Sequence, residues 1–159
     1  MSGLNLLYFV LQGASVLTVA FALWKGDWAT RAAALTYSVL DGATVVIMPK
    51  VGDVSSETIL LALDFACAVT FLLLAIRYAN LWLGAAMIFQ AAQFSMHAYY
   101  LVMELPHDRM HAWINNADDW GILISISVGA ALAMRRRAIM AREDAEREAL
   151  RQQRAARAR

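Results

Sequence analysis

Residues 81–103 read LWLGAAMIFQAAQFSMHAYYLVM, without one Lys, Arg, Asp or Glu. A bilayer core takes about 20 apolar residues per helix, so this stretch is long enough to cross one. Its polar positions are ordered: Gln90, Gln93, His97 and Tyr100, followed by Glu104, recur at steps of three and four. That spacing puts them on one helix face, with apolar residues on the others. A helix of this kind turns its polar stripe toward protein and its remaining faces toward lipid.

Four further segments of similar character flank it, at Leu4–Trp24, Ala29–Met48, Thr58–Ile76 and Ala112–Met134, with Gly, Asp, Pro and Asn in the breaks. The break at Lys25–Trp28 is short, yet Lys25, Asp27 and Arg31 together are costly at membrane depth, which favours two spans and a tight turn. Hydrophobic residues make up 60% of the chain and charged ones 17%, and the mean hydropathy is +0.49. A chain of this length cannot bury that much apolar surface in one aqueous core. The expected fold is therefore all-α: an integral membrane bundle of about five transmembrane helices in residues 1–134, then an arginine-rich, charged cytoplasmic helix in residues 135–159.

Ala20-Phe21-Ala22 resembles a signal-peptide cleavage site, but no Lys or Arg precedes it, so the first segment reads as a retained helix. Cys67 is the lone cysteine, which rules out a disulfide framework or a cysteine zinc site within one chain. Short cytoplasmic loops keep positive charge. Arg135, Arg136 and Arg137 after the fifth segment place the tail inside, together with the loops carrying Lys25, Arg31 and Arg77. The outer loops then hold Lys50 and Arg109, and the N-terminus lies outside. Trp24, Trp28, Trp82 and Trp113 fall near segment ends, where indole rings favour the headgroup zone. The tail mixes Glu143, Asp144, Glu146 and Glu148 with its arginines, which suits a solvated helix near anionic lipid and argues against nucleic acid.

Ionisable residues within membrane spans usually face protein and mark function. With a rise of about 1.5 Å per residue, Asp41 lies roughly 10 Å, and Asp64, His97 and Asp118 roughly 9 Å, from the outer helix ends. Asp119 adjoins this layer, and Gln12, Gln90, Gln93, Asn115 and Asn116 are its neutral companions. Polar or small stripes also run along Asn5, Tyr8, Gln12 and Ser15, and along Asn115, Asp118, Ile122, Ser125 and Gly129. Gln12, Gln90 and Tyr100 read as interhelical glue. Crowded carboxylates repel unless a proton, a metal or another cation lies between them. The candidate ligand-binding residues are thus Asp41, Asp64, Gln93, His97, Asp118 and Asp119, with Asp64 expected within hydrogen-bonding reach of His97.

No cofactor is identified, and a metal ion is left open, with His97, Asp64, Asp118, His107 and His111 as its weak candidates. His107 and His111 share a helix face, although a surface loop is their default home. No catalytic residue is assigned. A bis-histidine haem lacks a second imidazole at matching depth. Neither a serine-protease motif nor a phosphate-binding glycine loop is present.

The stretch Asp64–Arg137 resembles an uncharacterised family of small multi-span inner-membrane proteins of alphaproteobacteria. The residues that carry the likeness are Asp64, Arg77 before Trp82, the Gln90, Gln93, His97 series, and Trp120 followed by a basic end. It covers about half the chain and excludes Asp41. The resemblance implies a bacterial inner-membrane location and brings no activity. Two function classes follow. One is a polar intramembrane site for a proton, metal ion or small polar solute, with transport as an extension. The other is a non-catalytic accessory or scaffolding subunit partnered with a membrane protein or a second copy. Acid-base catalysis by His97 and Asp64 ranks third.

Overall fold

The computed structural model describes residues 3–47, 53–106 and 108–157. Among them the chain forms five helices and no strand: α1 (Gly3–Lys25), α2 (Trp28–Ile47), α3 (Asp53–Tyr78), α4 (Leu81–Val102) and α5 (Arg109–Arg157). Each helix packs against the next, and α5 returns to α1, so the helices close a ring in chain order, while α5 also touches α2. Lys50 and His107 lie outside the described residues.

The α1–α2 break follows from two residues. Gly26 donates its N–H to Ala22 O at 2.8 Å, and a Cβ there would collide with that carbonyl and sit 2.8 Å from Thr30 Cβ. Asp27 then caps α2, its Oδ1 accepting from Thr30 N at 2.9 Å and Thr30 Oγ1 at 2.7 Å. The α3–α4 turn passes through Ala79 at φ 49, a left-handed position, and Asn80 O accepts from Leu83 N and Gly84 N to start α4. Both turns are tied to α5. Arg136 Nη2 donates to Asn80 Oδ1 at 3.2 Å, and Arg137 Nη2 to Gly26 O at 2.7 Å. Arginines expected to mark the cytoplasmic side thus satisfy turn oxygens.

The seam between α4 and α5 is a ring-into-glycine fit. A Cβ on Gly121 would lie 2.5 Å from the Phe89 ring, and one on Gly129 would lie 2.6 Å from Trp82 Cε2. Ser125, between these glycines, folds its hydroxyl back onto Gly121 O at 2.7 Å. Small residues one turn apart let the helices approach closely. Trp82 is therefore a buried packing residue rather than the interfacial anchor expected of it, whereas Trp24, Trp28 and Trp113 are exposed.

Other expectations need correction at the edges. The fifth helix begins at Arg109 rather than Ala112 and runs unbroken to Arg157, because nothing between Met134 and Arg142 breaks a helix. Its basic and acidic tail is exposed throughout. Glu104 leaves the α4 stripe: it sits at φ 51 just beyond the helix and is exposed. Among the described residues, two helices are long and apolar enough to cross a membrane, with the stretches at Thr58–Tyr78 and Arg109–Arg157, and Phe9–Lys25 is a shorter apolar one. Gln90, Gln93 and His97 in α4, and Arg31 and Asp41 in α2, lower the mean hydropathy of those helices.

Candidate ligand-binding site

The polar stripes of α4 and α5 meet polar residues of α2 and α3 on the inside of the ring, whereas Gln12 and Ser15 of α1 line a separate groove. From α4, Gln90, Gln93 and His97 are buried on one face, as their spacing requires. Asp64 of α3 sits opposite. Its Oδ2 meets His97 Nδ1, and its Oδ1 accepts from Gln90 Nε2 at 3.1 Å. The expected contact between Asp64 and His97 is thus present, and Gln90 bonds the same carboxylate across the seam of α3 and α4, as interhelical glue would. Gln93 Nε2 donates to Asn115 Oδ1 of α5 at 2.9 Å. Asn115 Nδ2 passes the network on to Asp119 Oδ2 at 3.4 Å, and Tyr37 of α2 donates its hydroxyl to Asp119 Oδ1 at 3.3 Å.

These groups surround two adjoining cavities. The inner one, of about 50 Å³, is lined by Tyr37, Asp41, Asp64, Cys67, Gln90 and Asp119, among others. It has room for a few water molecules. The outer one, of about 410 Å³, shares Asp41, Asp64, Gln93 and Asp119 and adds His97, His111, Asn115 and Asn116. That is the size of a small-molecule pocket. Among the described residues, no Lys or Arg lines either.

The candidates are not all equivalent. Asp41, Asp64, Gln93, His97 and Asp119 come together at the cavities. Asp118 is buried but does not line them, and its Oδ2 has no hydrogen-bond partner among the described residues. One residue along the helix is a turn of about 100°, which brings Asp119 rather than Asp118 to the cavity wall. Tyr37 and Thr44 escaped notice in the sequence. Tyr37, Asp41 and Thr44 repeat at steps of four and three, so the stripe of α2 was visible had a tyrosine and a threonine been counted with the acids.

His111 departs most from expectation. It belongs to the first turns of α5, partly buried, with its ring 5.1 Å from that of His97 and 4.7 Å from that of Tyr100, centroid to centroid. Asp108 secures this end. Its Oδ1 accepts from His111 N at 2.8 Å and from Tyr100 Oη at 2.9 Å, and these two bonds hold its carboxyl below the usual carboxylate range. That contribution is full above the ordinary carboxylate range and fades as pH falls through the lowered value. Among the described residues no three His, Cys, Asp or Glu side chains are grouped to hold a metal ion. His97 and Asp64 turn ligating atoms toward each other, so the metal reading of His97, Asp64, Asp118 and His111 gains no ligand set.

No family model, curated protein or solved structure matches the chain.

Proposed function

We propose that this is a multi-pass bacterial inner-membrane protein whose five helices all cross the bilayer, and whose polar cavity binds a small cationic or polar solute from the outer side. The observation that carries the reading is a cavity with three carboxylates, Asp41, Asp64 and Asp119, and, among the described residues, no Lys or Arg in its lining, inside a ring with an apolar exterior. Leu17, Val39, Leu73, Ile76, Ile88 and Ile124, one or two from each helix, are 58–72% exposed. Soluble monomers rarely leave so extended an apolar surface in water. Only 11% of the most apolar window of α3 is buried, so lipid is the natural cover for it. Lys25, Arg77 and Arg135–Arg137 lie toward one end of the ring, which agrees with a cytoplasmic tail.

Calorimetry of the full chain in lipid nanodiscs, titrated in turn with sodium, methylammonium and guanidinium, tests the site. At least one is expected to bind, and Asp119→Asn to weaken it about tenfold to a hundredfold, one charge-assisted contact being worth roughly 1.5 to 3 kcal/mol. Three silent titrations would count against a cation site. A second reading, an accessory subunit, is favoured by the exposed extension of α5, residues 138–157, against which nothing described packs. Truncation after Arg137 separates the two, since solute binding should survive it.

A further inference from the structure

The two imidazoles and the carboxylate behind them are arranged in series rather than around a centre. His111 stands nearest the outer turn, with its backbone N–H on Asp108. His97 follows on α4, its ring 5.1 Å from that of His111 and tilted by 35°. Asp64 comes next in the series, in contact with His97 Nδ1 and lining both cavities. The outer cavity runs beside all three.

We propose that His111, His97 and Asp64 form a proton relay that joins the outer medium to the acid cavity, so that a proton and a solute cation compete for the same carboxylates. The relay uses the cavity proposed above as its inner end. Its chemistry is simple proton transfer, in which no electron moves. A proton from outer water bonds to one imidazole nitrogen of His111, and the proton on the other nitrogen leaves through one bridging water toward His97, within the reach of acid-base transfer. His97 gains N–H at Nε2 and breaks N–H at Nδ1, and that proton forms O–H on Asp64 Oδ2. The carboxylate becomes a neutral carboxyl. A cation entering the cavity reverses each step and returns the proton outward.

The surroundings favour this direction of traffic. The groups facing the two rings are Asp64 from α3, Tyr100 from α4, Asp118 and Asp119 from α5, Asp41 from α2 and Asp108 at the turn, all acidic or neutral. With no Lys or Arg in the lining among the described residues, a proton supplies counter-charge to the cavity without a solute. Gln90 holds Asp64 Oδ1, leaving Oδ2 to His97. Asp108 and Tyr100 fix the outer ring against the inner one, so the gap between them is set by the turn as well as by helix packing.

A pH jump on the full chain in nanodiscs, followed by time-resolved infrared absorption, reads the relay with protons alone. The carboxyl stretch of Asp64 is identified by its loss in Asp64→Asn. His111→Phe keeps a flat ring against His97 but cannot carry a proton, and is expected to slow the rise of that band about tenfold or more. An unchanged rate overturns the relay. Failure of the cation titrations with an intact proton response would count against the solute and spare the relay. The reverse pattern would remove the relay and spare the solute site.

Discussion

Asp64→Leu is expected to lower stability by about 3 kcal/mol, since removing one partner of a buried, hydrogen-bonded pair strands the other. Asp64 answers both His97 and Gln90, so its loss leaves two buried polar side chains without their acceptor. His97→Leu should cost a similar amount. The double substitution Asp64→Leu/His97→Leu should then cost clearly less than the sum, because the second change removes the stranded group. Thermal or denaturant unfolding in detergent measures all four corners of the cycle, and the expected coupling is about 1 to 3 kcal/mol. Ordinary polar contacts between membrane helices average only about 0.6 kcal/mol. Costs of that size, adding without coupling, would mean the pair is glue and nothing more.

The second large effect belongs to the seam of α4 and α5. Gly129→Val should destabilise the bundle by about 3 kcal/mol, the upper part of the range for overpacking a tight core. A Cβ at this position already lies 2.6 Å from Trp82 Cε2, and Trp82 is 7% exposed, so the indole has nowhere to move. Gly121 is the informative contrast. There the obstacle is the Phe89 ring, which is 36% exposed and can swing outward. Gly121→Val should therefore cost distinctly less. A Trp82→Ala background should restore much of the loss at Gly129, and no rescue would mean that the contact with Trp82 is not the cause.

Much of this arrangement was legible in periodicity. The stripe Gln90, Gln93, His97, Tyr100 predicted one buried face of α4, and those four residues are buried. On α5 the series Asp118, Ile122, Ser125, Gly129 is buried as well, because a helix turned toward its neighbours must bury a face, whatever its polarity. Depth along each helix grouped Asp41, Asp64 and His97 correctly, since rise per residue is fixed. Rotation was harder. Asp118 and Asp119 differ by one position, and only the packing of α5 against α2 and α4 selects Asp119 for the cavity. The place of His111 was hidden for a different reason: nothing in local spacing reports that α5 begins at Arg109, which carries this ring from a loop to the flank of His97. Trp82 was misjudged because a tryptophan near a helix end serves equally at a lipid interface and over a glycine. Only the partner helix tells which.

Whether a water-filled polar cavity opens to the outside of a membrane bundle can be read with a single cysteine. In a Cys67→Ser background, which removes the native thiol lining the inner cavity, Asn115→Cys places a thiol in the outer cavity, and Leu73→Cys places one on the exposed apolar face of α3. Cells with an opened outer membrane are treated with a charged, membrane-impermeant thiosulfonate. The thiol at position 115 should be modified rapidly in intact inner membranes, and the one at position 73 should stay unmodified until detergent is added. Equal labelling of both would contradict a lipid-covered exterior, and protection of position 115 with labelling from the cytoplasmic side alone would contradict an outward-facing site.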